Sequence, residues 1–190
     1  GVVIVRYKIS SDQTGTAKAT GGEVSFFNGK TIHTFVNSGT FTTPGSFSET
    51  IEYVVLAGGG GGGASQGGGG GAGGYRTGTT PVGSSQSFAV TVGAGGKGLF
   101  GATSSNAPNA PNGGDSSAAF PGGTITSAGG GGGSPPNSSP RTAASGGSGG
   151  GGSAPTGVGG SGNTPPVSPP QGFDGGDGAG NVGGGGGGAG

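Results

Sequence analysis

The 190 residues contain no cysteine, no methionine and no tryptophan, and a single histidine, His33. Their absence excludes cysteine catalysis, thiolate metal centres, haem attachment and any disulfide staple, and it leaves the redox compartment open. Charge is equally scarce. Seven Lys/Arg oppose seven Asp/Glu for a net charge of zero, and their scatter gives no electrostatic footprint for nucleic acid. No apolar run approaches the ~20 residues of a membrane span, so no membrane insertion is expected. No segment carries the 3.6-residue period of an amphipathic helix. Lacking an initiator Met, the chain reads as a processed protein or a piece of a longer one.

What the chain has is glycine. Gly and Pro together occupy 71 of 190 positions, about 37 %, above the roughly 25–30 % at which low complexity is usual. Large apolar residues run the other way: residues 1–100 hold 26 of Val, Ile, Leu, Phe and Tyr, and residues 101–190 hold six. A conventional hydrophobic core is therefore expected from the first hundred residues alone.

That first part reads as β-structure. In Val2–Ile9 the odd positions Val3, Val5, Tyr7 and Ile9 are all apolar, whereas the even ones pass from Val2 and Ile4 to Arg6 and Lys8. Such alternation marks a strand with one buried face. Further strands are expected at Glu23–Phe27, Thr31–Val36, Thr40–Thr43, Phe47–Ala57 and Gln86–Val92, and Asn28-Gly29 signals a two-residue hairpin. The expected fold is all-β with little or no α-helix: a small antiparallel β-sandwich or jelly-roll-like domain.

Runs of four to six glycines at 58–63, 67–71, 129–133, 149–152 and 183–188 dominate the rest. A collagen reading fails because Gly does not recur strictly every third residue. Two readings stand: a flexible linker, or a polyglycine-II-like lattice of threefold extended helices that bond sideways through their backbones. The lattice is favoured, because proline suits the same backbone region. The organisation expected is a strand at 1–9, a polar linker at 10–22, a β-domain with a first glycine insert at 23–100, and a glycine/proline-rich lattice at 101–190.

Lys30–Phe35, Ser38–Phe41, Ile51–Ala57 running into Gly58–Gly63, Gly73–Gly78 and Val90–Gly96 follow one another in order. Together they resemble the glycine-rich domain of phage tail-fibre proteins, fibre-tip adhesins and bacterial surface proteins. Members of that family usually close the glycine-rich segment with a strand like Gly-Val-Val-Ile-Val-Arg-Tyr. Here that strand is Gly1–Tyr7, at the front, so the chain looks circularly permuted by one strand. The resemblance implies an extracellular setting and a β-domain whose slot takes Val2, Val3, Ile4, Val5, Tyr7 and Ile9 from a neighbouring subunit. Head-to-tail repetition of that contact would build a filament. Pairing within the chain's own domain is the simpler alternative, and a giant tandem chain with the same contacts is a third.

Candidate chemistry is thin. His33 has no carboxylate near it in sequence and reads as structural. Glu49 and Glu52, three apart on one strand, face opposite sides of a sheet and make no glycosidase pair. Asp174, Asp177 and Asn181 space oxygens among glycines as calcium loops do, but the bidentate Glu is missing and turn formation is the preferred reading. Asn137-Ser138-Ser139 is the sole N-glycosylation sequon. Tyr75, Phe100, Phe120 and Phe173 are either plugs that anchor the lattice or contact residues of an adhesin. The expectation is a non-enzymatic, cofactor-free structural subunit of an extracellular filament that binds itself. The alternative is a recognition module whose loops near 106–113 and 163–173 meet cell-surface glycans or outer-membrane proteins.

Overall fold

The computed structural model describes residues 1–9, 17–101, 107–136 and 141–190. Among these described residues are nine strands: β1 (Val2–Lys8), β2 (Glu23–Phe27), β3 (Lys30–Phe35), β4 (Gly39–Thr42), β5 (Glu49–Leu56), β6 (Tyr75–Val82), β7 (Ser87–Thr91), β8 (Ser116–Phe120) and β9 (Gly123–Ser127). They form two antiparallel sheets, in the order β2-β3-β1-β5-β6 and β4-β7-β8-β9, and the described residues contain no helix.

The alternation of β1 is realised over Val2–Lys8, while Ile9, expected to continue the buried face, lies past the end of the strand and is half-buried. Val3, Val5 and Tyr7 are buried, while Arg6 and Lys8 are exposed. They pack with Phe35, Phe41, Phe47, Ile51, Val55, Phe88, Val90 and Phe120 into one core between the sheets. Tyr7 and Phe47 meet edge to face at 5.1 Å, as do His33 and Phe41, the geometry aromatic quadrupoles favour. At the β2–β3 hairpin, Asn28 and Gly29 take φ of 48° and 70°, which fits the type I′ turn expected of that dipeptide.

Three strands have no signal in the sequence. β6 (Tyr-Arg-Thr-Gly-Thr-Thr-Pro-Val) is interrupted by Gly78 and Pro81, tolerated because β6 is an edge strand. β8 and β9 consist largely of Ser, Ala, Thr and Gly. Their burial corrects the expectation that the first hundred residues supply the core, for Ala118 and Phe120 are buried in it and Ile125 packs against it. The division at residue 100 is likewise not spatial: the sandwich takes β8 and β9 from beyond it, and the lattice begins before it.

The glycine runs leave one end of the sandwich, at Ala57, Gly74, Gly93, Gly114 and Ala128, and bond to one another. Run 129–134 shows the pattern. Gly130 and Gly133 donate their N–H groups to Gly58 O and Gly61 O, both at 2.9 Å. Gly131 and Ser134 donate to Ser148 O and Gly151 O, at 2.8 and 3.1 Å. Gly129 and Gly132 donate to Asp115 Oδ1 and Asn112 Oδ1, at 2.8 and 2.9 Å. Partners therefore change with each residue and recur every third, the period of a three-residue-per-turn extended helix with no internal bonds. The carbonyls follow suit: Gly131 O and Ser134 O accept from Gly71 and Gly68, and Gly130 O and Gly133 O from Gly113 and Ala110. The glycine-rich region is thus a hydrogen-bonded lattice rather than a linker.

Glycine is required here for space. An added Cβ at any of Gly129–Gly133 would fall on a neighbouring carbonyl, of Gly113, Gly71, Ala144, Ala110 and Gly68 in turn. Residues 127–136 and 146–154 are buried throughout, so two runs form the lattice interior. At the surface the constraint lifts: a Cβ at Gly185 or Gly188 would meet nothing within 4 Å.

Candidate functional site: the slot of the first strand and the lattice surface

β1 is a central strand. Val3–Lys8 pair with Phe35–Lys30 of β3, and Val2–Arg6 pair with Leu56–Glu52 of β5. The slot is thus a gap one strand wide, walled by two ladders and floored by the aromatic core. In the single chain its occupant is the chain's own β1, the simpler of the pairings open to the sequence.

Four groups fix the far end of the strand. His33 Nδ1 lies 2.7 Å from Gly21 O, and its Nε2 lies 3.2 Å from Tyr7 Oη. Because a carbonyl only accepts, Nδ1 carries the proton, and Nε2 accepts from the Tyr7 hydroxyl. Tyr7 Oη in turn accepts the Ala19 N–H at 2.9 Å. Burial pushes the His33 pKa down and, outweighing its hydrogen bonds, pushes the Tyr7 pKa up. His33 is therefore a neutral structural residue. On the outer surface Glu52 bonds Lys30 and Arg6, the latter through Nε at 2.7 Å, and these cations hold its carboxyl below the usual range. Glu49 pairs with Lys18, so the two glutamates serve separate ion pairs.

The His33 shift has a sign that can be tested. Its folded pKa lies below the unfolded value, so the unfolded chain binds the extra proton. Its contribution is complete above about pH 6.5 and is lost as pH falls below that. Denaturation midpoints should drop between pH 7 and pH 5, and His33→Gln should flatten that slope; an unchanged slope would remove His33 as its source.

Asp174 and Asp177 have a lattice role. Asp174 Oδ1 accepts from Gly162 N at 2.7 Å and Asp177 Oδ1 from Gly159 N at 2.8 Å. The carboxylates stand in for carbonyls at threefold spacing, as Asn112 and Asp115 do beside Gly132 and Gly129. Asn181 lies in the turn between the Ala179–Val182 bridge. Among the described residues no three His, Cys, Asp or Glu side chains gather as a metal would need. Buried Gln171, invisible to sequence reasoning, joins sandwich to lattice: its Oε1 accepts from Ala128 N at 2.8 Å and its Nε2 donates to Pro165 O at 2.9 Å. Polar burial of this kind holds only when each group is bonded.

Of the four aromatics, Phe120 is buried in the core and Tyr75 is half-buried at the start of β6. Phe100 and Phe173 are 97 % and 62 % exposed, so neither plugs the lattice. Asn137, residue 106 of the 106–113 loop and linker residues 10–16 lie outside the described residues. No described helix is long and apolar enough to cross a membrane.

No curated protein and no solved structure matches the chain. A family model described as a glycine-rich domain matches residues 34–190, a span that takes in β4–β9 and the glycine runs of the lattice. The chain belongs to the glycine-rich domain family.

Proposed function

We propose that this protein is the structural subunit of an extracellular filament, polymerising head to tail by donating residues 2–9 into the slot of the next subunit. The observation that carries the reading is the position of β1. The first strand in sequence order forms the middle strand of a five-stranded sheet and supplies three buried side chains to its core. Exchange of such an element preserves every contact and changes only which chain provides it. Residues 10–17 separate the strand from the body, and eight residues reach about 26–29 Å when extended, enough to enter an adjoining copy. A heterologous contact propagates into an open filament wherever its rotation does not close a ring.

Because the chain has no cysteine, one engineered pair gives an unambiguous test. Ile4 and Val54 are register partners on the half-buried outer face. The I4C/V54C protein, oxidised after assembly and denatured without reductant, should run as a ladder of covalent multimers. A single monomer band from oxidised filaments would overturn strand donation.

A further inference from the structure

We infer that the exposed apolar edge strand β2, which carries Val24 and Phe26 on one side of the sheet and Phe27 on the other, is a second contact surface between consecutive subunits, occupied by the copy that donates β1. This rests on the strand-donation reading. Sheet edges in monomeric proteins are ordinarily blunted by charge, proline or brevity. Among the described residues, β6 carries Arg76 and Pro81, and β9 is largely Thr, Ser and Gly. β2 differs. It is the other edge of the five-stranded sheet, all five of its residues are exposed, and its one charge is Glu23. Three of the eight exposed large hydrophobic residues among those described lie within it, with Phe27 75 % exposed. Val24 and Phe26 pair with His33 and Thr31 and so stand on the core side of the sheet, yet they remain 43 % and 41 % exposed.

The path of the chain says what covers them. β1 enters the sheet at the lattice end, where Val2 pairs with Leu56, and leaves at the opposite end, where Ile9 N donates to Gly29 O at 2.8 Å. Gly29 is the second residue of the β2–β3 turn, beside Phe27. A donated strand therefore exits next to β2, and residues 10–17 tether the donor's body within about 26–29 Å of it. The donor is thereby the copy positioned to bury β2, and the filament runs outward from the hairpin end, away from the acceptor's lattice.

The chain lacks tryptophan, so Phe27→Trp places a sole indole at the surface in question. On assembly its emission should shift to the blue and resist acrylamide quenching. Phe27→Ser, at a side chain 75 % exposed, should leave unfolding of the isolated subunit nearly unchanged while raising the critical concentration for assembly at least about tenfold. The I4C/V54C ladder separates the two readings. A ladder with an unmoved indole signal from the Phe27→Trp protein, or with wild-type assembly of the serine variant, overturns the β2 contact and leaves donation standing. No ladder overturns both. A ladder, a blue shift and weakened assembly together support the contact.

Discussion

Gly132→Ala should disrupt the lattice, whereas Gly185→Ala should not. A methyl at position 132 would fall on the Ala110 carbonyl, backbone that cannot rotate away. The run 129–134 that would have to move is bonded on several sides, to 58–61, 68–71, 110–115 and 148–151. Overpacking ordinarily costs about 1–3 kcal/mol, and each lost backbone bond between buried groups adds about 1–3 more. We expect a loss of several kcal/mol, a large part of the ~5–15 kcal/mol that holds a domain together. At Gly185 nothing lies within 4 Å of the added carbon. There the smaller entropy of the unfolded chain should stabilise by about 0.4–1 kcal/mol. Denaturant unfolding of the two variants, with hydrogen exchange at the lattice amides, reads the contrast. Equal effects at both positions would mean that close backbone packing is not what requires glycine.

Deleting residues 1–9 should abolish cooperative folding of the isolated chain. The deletion removes the strand shared by two ladders and exposes the aromatic floor beneath Val3, Val5 and Tyr7. Burial of such side chains contributes about 1.5–3 kcal/mol each, so the three supply roughly 5–9 kcal/mol, comparable to the whole stability of many domains. A synthetic peptide of residues 1–9, added in trans, should restore a sharp thermal transition whose midpoint rises with peptide concentration. A truncated chain that melts as the intact one does would show the strand to be dispensable. Peptide rescue would establish that the slot accepts a strand from another molecule.

Where side chains alternate, residue order alone decided the outcome. Val3, Val5 and Tyr7 face inward because a strand turns successive Cβ atoms to opposite faces, and Asn28-Gly29 turns because both residues tolerate positive φ. The glycine runs allowed a lattice or a linker, since backbone groups without side chains beside them can bond to one another or to water; the structure decided for the lattice. What the order of residues left open, the tertiary structure decided. β8 and β9 carry almost no pattern of their own, and only cover by the opposing sheet turns Ser116–Phe120 into a core strand. Gln171 reads as a surface residue until Ala128 and Pro165 close on it. The partners of each glycine run were illegible because every run presents the same backbone to all sides. Which run meets which is set by where the strands release them, at Ala57, Gly74, Gly93, Gly114 and Ala128, and that is a property of the assembled sandwich.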